Sequence, residues 1–191
     1  MATDQKKTQK LMAHLIFLDE SGFLLIPNVK RTWAPRGKTP IHYHAFSREK
    51  ISAISALAVS PQRKHLSLYT HLWRNDISTE EVIEFLKHLL RHLRGNIIIL
   101  WDRASIHKSH LIDEFLEKHP RVKVEKFPAY APELNPAEYV WNQSDSALSN
   151  TSPEELDELE KMLTASIRKT GGSQKLLRAC IHASDLSWKW M

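Results

Sequence analysis

Asn96-Ile97-Ile98-Ile99-Leu100-Trp101-Asp102 is the stretch on which the fold turns. Three β-branched isoleucines followed by Leu100 and Trp101 favour an extended strand buried on both faces, and Asp102 ends it with a charge. Just upstream, Gly95 stops a helix read over Ser78–Arg94. Ser78 and Glu81 fit a capping box there, and Val82, Ile83, Leu86, Leu89, Leu90 and Leu93 form one apolar stripe. Downstream, a helix is expected over Ile106–Lys118, with Leu111, Ile112, Phe115 and Leu116 inward, then a short strand over Arg121–Glu125. Strands joined through helices in this way are reached by crossovers.

Before Ser78 the pattern is all strand. His14–Leu18 is a short apolar run ending in Asp19-Glu20-Ser21-Gly22, which reads as a strand and then a turn. Phe23–Ile26 is expected as a second short extended piece. Ile51–Val59 suits a buried strand, Ser60-Pro61-Gln62-Arg63 a turn, and Lys64–Leu72 an alternating hairpin partner. After the central strand and its crossovers come a proline-rich loop from Phe127 and a helix over Pro136–Leu148. Another helix is expected to open at Ser152-Pro153-Glu154-Glu155, carry Leu156, Leu159, Leu163 and Ile167 inward, and end at Gly171-Gly172. A final short helix follows, and Trp188 and Trp190 are expected to pack rather than to stack on bases. This order is that of an α/β fold: a mixed sheet of three antiparallel strands plus two crossover strands, flanked by helices.

The 191 residues suit one domain. We divide them into a polar arm (1–13), a domain over 14–150 with a basic insertion at about 27–50, and a helical extension (151–191) packed on the same domain. The single cysteine, Cys180, excludes a disulfide scaffold and a cysteine zinc site, and points to a reducing, cytoplasmic setting. The eleven histidines have no paired spacing that specifies zinc. No apolar run is long enough to span a membrane, and Met1–Lys10 has no signal-peptide core. The net charge is +5, and residues 1–50 hold nine Lys/Arg against four Asp/Glu, so the whole excess lies in the first quarter. Lys30, Arg31, Arg36, Lys38, His42, His44, Arg48 and Lys50 carry most of it. Such a segment meets phosphates or is a solvated loop.

Two of the apolar strands are followed by an aspartate, Asp19 and Asp102. On neighbouring strands these two carboxylates come within one metal-binding distance, as hard-oxygen ligands for Mg2+ or Mn2+. Each alone is also an ordinary turn residue. The third candidate is Glu138, in Pro132-Glu133-Leu134-Asn135-Pro136-Ala137-Glu138. Its local alternative is a capping box, with Asn135 as N-cap and Pro136 as first helical residue. Glu133 is a rival acid in the same loop, and Asn142 and Asp145 share the helical face of Glu138.

The segments Leu18–Gly22, Leu100–Lys108 and Tyr130–Trp141 resemble the three acidic motifs of DDE transposases, most closely the bacterial insertion-sequence branch of the mariner-like superfamily. Trp33-Ala34-Pro35-Arg36-Gly37 resembles the Trp-x-Pro-x-Gly stretch that follows the first motif there. Thirty-five residues separate Asp102 from Glu138, close to the family spacing.

The resemblance implies a ribonuclease H-like fold. It implies that Asp19, Asp102 and Glu138 hold two Mg2+ ions, for which Mn2+ substitutes, and that the domain cleaves DNA and transfers strands in transposition. It also implies a homodimer acting on transposon ends and target DNA. The basic loop falls where related transposases insert a segment that clamps a partner protomer or DNA, which points to Arg31, Trp33, Arg36 and Lys38. His107 and Lys108, just past Asp102, are phosphate-binding candidates. Arg103 stands where the family commonly has Asn, a cation able to contact DNA or to repel metal. Family members usually carry helix-turn-helix domains first. By that measure the chain is the catalytic half alone, a truncated copy or one frame of a split gene whose upstream frame supplies a separate helix-turn-helix protein. The competing expectations are a non-catalytic remnant that binds DNA or dimerises, and a ribonuclease H-type metal-dependent nuclease.

Overall fold

A computed structural model describes residues 12–26, 29–41 and 47–186 of the chain. Residues 1–11 of the polar arm, His42, His44, Trp188 and Trp190 lie outside the described residues. Five strands form one sheet: β1 (His14–Leu24), β2 (Lys50–Val59), β3 (Leu66–Trp73), β4 (Ile97–Trp101) and β5 (Val122–Lys126). Among the described residues five α-helices accompany it: α1 (Thr79–His92), α2 (His110–Lys118), α3 (Glu138–Leu148), α4 (Leu156–Gly171) and α5 (Gln174–Ala183). The sheet order is β3-β2-β1-β4-β5. β1, β2 and β3 pair antiparallel, and β4 and β5 continue parallel to β1.

Alternation along the strands loads both faces of the sheet. Ile16, Leu18, Ile54, Ile97, Ile99 and Trp101 pack with Val82, Phe85, Leu86 and Leu89 of α1 and Ile112 and Phe115 of α2. Leu15, Phe17, Leu57, Ile98 and Leu100 pack on the other face with Val140 and Trp141 of α3, Leu159 and Leu163 of α4, and Leu177 and Ile181 of α5. All five residues of β4 are buried, as its unbroken apolar run requires. Among the described residues, no helix is long and apolar enough to cross a membrane.

Several boundaries differ from the sequence expectation. Asp19-Glu20-Ser21-Gly22 is not a turn. β1 runs through it to Leu24, because the long β2 pairs with it residue for residue from Leu15 opposite Val59 to Leu24 opposite Lys50. A continuous partner overrides the local turn preference of Asp and Gly. The helix expected over Ile106–Lys118 is broken. Ser105–Lys108 is a 3-10 turn, and Ser109 then caps α2 by accepting the Leu111 N–H at 3.3 Å. α4 starts at Leu156 rather than near Ser152, with no side-chain cap. The Glu154 N–H is instead taken by Oε2 of Glu158 at 3.0 Å.

The capping box of α1 forms as expected. The Glu80 N–H donates to Oγ of Ser78 at 3.1 Å, and the Ser78 N–H donates to Oε2 of Glu81 at 2.8 Å. The other end of α1 is closed from a distance. Arg121 donates from Nη1 to the carbonyls of Leu93 and Gly95, both at 2.8 Å, and from Nη2 to that of Leu90 at 2.7 Å. That one side chain fixes the crossover from α1 into β4, and β4 carries Asp102.

Candidate active site

β1 and β4 are parallel neighbours, with Phe17 opposite Leu100. Two residues further on, the same register brings Asp19 level with Asp102. Asp102 lies just past the end of β4, whereas Asp19 sits inside β1, where its backbone stays in the ladder.

Asp19 is only 8% exposed, and both of its oxygens are engaged. Oδ1 accepts from Nδ2 of Asn135 at 3.1 Å, and Oδ2 accepts from the indole Nε1 of Trp141 at 2.9 Å. Burial holds its carboxyl well above the usual range, and the charges of Glu138 and Glu20 push it the same way, against the Trp141 bond.

Glu138 arrives from α3. The expected capping box does not form, because the Asn135 N–H is already taken by the Pro132 carbonyl at 2.8 Å. Asn135 uses its Oδ1 to hold the Ala137 N–H at 3.1 Å and its amide nitrogen to hold Asp19. The Glu138 carboxylate, with no cap to make, lines the cavity instead. Burial and the charge of Asp102 raise its carboxyl.

Asp19, Asp102 and Glu138 thus line a single cavity of about 530 Å³, together with Arg103, Lys108 and Tyr130. Arg103 is anchored by its Nε on the Phe127 carbonyl at 3.0 Å. Three carboxylates facing one space repel each other, and burial makes their ionisation costlier. All three offer oxygen, the donor type of a hard divalent cation.

His107 is not a surface phosphate ligand. It is buried, with its ring stacked on Trp101 at 4.3 Å and an interplanar angle of 4°. Its Nε2 is 3.0 Å from Oε1 of Glu20, and its Nδ1 is 3.0 Å from Oδ1 of Asp102. Burial works to lower its pKa, but the hydrogen bond and charge of Glu20, followed by the charge of Asp102, outweigh that and raise it. The two carboxylates thus favour the ring's charged form more than water does around a free imidazole. Glu20, Asp102 and His107 each place a potential ligand atom within 4.8 Å of the others.

The basic-loop candidates lie elsewhere. Arg31, Trp33, Arg36 and Lys38 are exposed, Trp33 fully, and none of them lines the cavity. The loop is strapped to the far end of α3: the Lys30 N–H donates to Oδ1 of Asn150 at 3.0 Å and its Nζ to Oγ of Ser146 at 3.1 Å. Glu133 and Asn142 are exposed and do not line the cavity either. Asp145 lines a separate small cavity with Gly22 and Phe23, one helical turn and more from Glu138.

Three residues at the site escaped the sequence reading: Asn135 and Trp141, which hold Asp19, and Glu20, which holds His107. A usable signal was present for Trp141. It stands three residues after Glu138 on the same helical face, and a buried indole N–H needs an acceptor.

Comparison with protein families matches residues 14–160 to the DDE superfamily endonucleases. The chain belongs to that family. Comparison with curated proteins gives no significant match. Among solved structures, this DDE superfamily endonuclease is similar to the Mos1 strand transfer complex, with a TM-score of 0.60 and 16% identity over 98% of this chain and 59% of that one. It is similar to the mariner Mos1 paired end complex with Mg at a TM-score of 0.61 and 17% identity, covering 98% of this chain and 60% of that one. The catalytic domain of Mos1 mariner transposase matches at 0.55 and 14% identity, with 97% and 90% covered. The chain therefore spans about three fifths of the longer Mos1 chains it matches. At such identities the shared property is the fold, which is ribonuclease H-like.

Proposed function

We propose that this DDE superfamily endonuclease is the catalytic domain of a transposase of the bacterial insertion-sequence branch. In this reading it cuts DNA phosphodiesters and transfers strands during transposition in the cytoplasm. The observation that carries the reading is the convergence of Asp19, Asp102 and Glu138, from three separate elements, on one cavity. We assign these three as the catalytic, metal-holding residues.

The residues fit a divalent ion. The donor set is all oxygen, burial and then mutual repulsion raise the carboxyls of Asp19 and Glu138, a cation relieves the repulsion, and Oδ2 of Asp102 makes no hydrogen bond among the described residues. Mg2+, or Mn2+ in its place, is the matching class. A pair of such ions, when bound, supplies activation of the attacking oxygen and stabilisation of the leaving one. The structures of Mos1 with Mg and with Mn support the same choice.

The chain's own groups do the rest. Asn135 and Trp141 fix both oxygens of Asp19, so that this carboxylate cannot rotate. Arg103 and Lys108 bring positive charge to the cavity that a DNA phosphate would enter. Water as nucleophile gives cleavage, and a DNA 3′-hydroxyl gives strand transfer. Arg31, Trp33, Arg36 and Lys38 offer an exposed basic surface for DNA or a second protomer of a homodimer. The Mos1 paired end complexes are consistent with such partners. We read residues 14–150 as the catalytic domain and the remainder as its extension, since α4 and α5 contribute to the same core as β1 and β4.

The test is plasmid nicking and oligonucleotide strand transfer by the purified chain, in Mg2+ and then Mn2+, with Asp102→Asn as control. The expected result is metal-dependent cutting, and joining of a pre-cut end, both lost in the variant. Equal cutting by folded Asp102→Asn protein rejects the assignment. Cutting of RNA–DNA hybrid without any transfer product favours a ribonuclease H-type nuclease. Arg103 at the cavity is the observation behind the remaining reading, a non-catalytic DNA-binding or dimer-forming domain, which a folded chain that takes up no metal would support.

A further inference from the structure

We propose that His107 is a positioning residue for Asp102, anchored by Glu20 and Trp101, and that it decides which oxygen of Asp102 is presented to the cavity. The proposal rests on the reading of Asp102 as metal-holding.

Glu20 follows Asp19 in β1, so the two side chains leave opposite faces of the sheet. Asp19 faces α3. Glu20 faces the side of Trp101, and there it meets His107. The carboxylate cluster is thus supported from both faces: Trp141 and Asn135 on one side, the Glu20–His107 pair on the other.

The ring of His107 has little freedom. Its side chain is 1% exposed, it lies flat on Trp101, and Nε2 is tied to Glu20 at 3.0 Å. What this fixed ring leaves over is Nδ1. That atom is buried and makes no well-aligned hydrogen bond: it stands 3.0 Å from Oδ1 of Asp102, off the line a bond needs, with the Asp102 backbone also in reach. A buried polar atom without a partner is costly, and its aim at one carboxylate oxygen needs a reason.

Asp102 supplies the reason. Its side chain is 56% exposed at the end of a strand, so packing alone does not hold it. Oδ1 accepts the Ala104 N–H at 2.9 Å and faces His107, whereas Oδ2 makes no hydrogen bond among the described residues. Two groups therefore converge on one oxygen and leave the other to the cavity. A small rotation of the carboxylate turns the Nδ1 approach into a hydrogen bond and still leaves Oδ2 to the cavity. Supporting groups of this kind set the orientation of a metal-holding side chain, and losing one typically costs about 10–100-fold in metal affinity.

Two substitutions separate the two ring nitrogens. In His107→Asn the amide nitrogen replaces Nδ1, and in His107→Gln it replaces Nε2. Both lose the stack on Trp101 equally, so the difference between them reports the donor to Asp102. The readout is Mn2+ binding to the DNA-free protein by electron paramagnetic resonance, beside the metal concentration that gives half-maximal cleavage. His107→Gln is expected to bind Mn2+ about tenfold more weakly than the wild type, and His107→Asn, which keeps the donor to Asp102 but loses the Glu20 anchor, to bind it more tightly than His107→Gln. Equal losses in both, or none in either, overturn the proposal.

Should neither His107 variant fold, Glu20 provides the comparison. Glu20→Gln removes the charge but keeps an acceptor for Nε2, whereas Glu20→Ala removes the anchor. Weaker Mn2+ binding in the Ala variant than in the Gln variant supports positioning, and identical binding overturns it. Asp102→Asn is the control for the underlying reading. If it binds Mn2+ like the wild type, the site assignment falls and the proposal with it. If it loses binding and the His107 and Glu20 pairs show no split, only the proposal falls.

Discussion

The indole N–H of Trp141 donates to Oδ2 of Asp19 at 2.9 Å, across 122 residues of chain. It is the contact that locks α3 onto β1 at the acid of β1, and it places Glu138, one turn earlier on the same helix, beside that acid. The indole also meets Phe23 edge to face at 5.7 Å, so most of its packing is independent of the bond.

Trp141→Phe therefore keeps much of the packing and removes one charge-assisted donor from a buried carboxylate. The expected outcome is a folded protein with divalent-ion affinity and cleavage lowered at least about tenfold. Calorimetric titration with Mn2+ and a nicking assay would show it. Wild-type affinity in the variant would mean that Asn135 alone suffices to orient Asp19.

The acids of the cavity oppose folding until a cation arrives. Glu138 has a folded-state carboxyl raised above its unfolded value by burial and by Asp102. Its contribution to stability is whole below the unfolded pKa, near 4.5, and is lost as pH rises through the folded value. Above that folded value the metal-free chain carries this penalty. Glu138→Gln has the same shape and no charge, so it should melt a few degrees higher than the wild type near pH 7 without metal, and no higher near pH 4. Added Mg2+ should raise the melting temperature of the wild type and not that of the variant. A lower metal-free melting temperature for Glu138→Gln at pH 7 would show that neither burial nor the charge of Asp102 penalises the ionised carboxylate.

Much of this was legible in the sequence, for identifiable reasons. β4 was legible because five apolar residues in a row have few other homes, and α1 because its capping box and its stripe agree. Asp102 was read from its place at the end of β4, and Glu138 from the resemblance of its motif, because its place at a helix start reads equally as a capping box. The continuity of β1 was not legible, since Asp19-Glu20-Ser21-Gly22 has local turn chemistry and only the partner strand β2 decides against it. Nor was the burial of His107. A histidine six residues past a strand reads as the exposed start of a helix until β1 supplies Glu20 beneath it. What sequence reading missed in each case is a contact between residues far apart in the chain.

Arg121 gives a prediction away from the site. Its guanidinium closes three carbonyls, those of Leu90, Leu93 and Gly95, and among the described residues no other side chain does so. Replacing it with Met keeps the aliphatic stem and strands those acceptors. The expected cost is about 1–3 kcal/mol, read as a lower urea midpoint at unchanged slope. Cleavage at low temperature should persist, because Arg121 does not line the cavity. A loss below about 0.5 kcal/mol, the range of an ordinary surface substitution, would mean that solvent satisfies the end of α1 unaided.

Cys180 is buried at 1% exposure in the core beneath α5, and burial pushes its thiol up to about 11 from a reference of 9.0. The folded chain therefore keeps the proton over a range in which the unfolded chain gives it up. The contribution is whole below about pH 9 and is lost as pH rises towards 11. Cys180→Ala removes the titration and leaves a small cavity, so it should be the less stable protein at pH 8. The gap should then shrink as the wild type alone loses about 2–3 kcal/mol between pH 9 and 11, at about 1.4 kcal/mol per pKa unit. Urea titrations of both proteins at pH 8 and 10.5 measure that difference and cancel the alkaline effects of lysine and tyrosine common to both. A gap that stays constant would show that the thiolate reaches solvent in the folded state, and that the packing of α5 against the sheet opens at high pH before the chain unfolds.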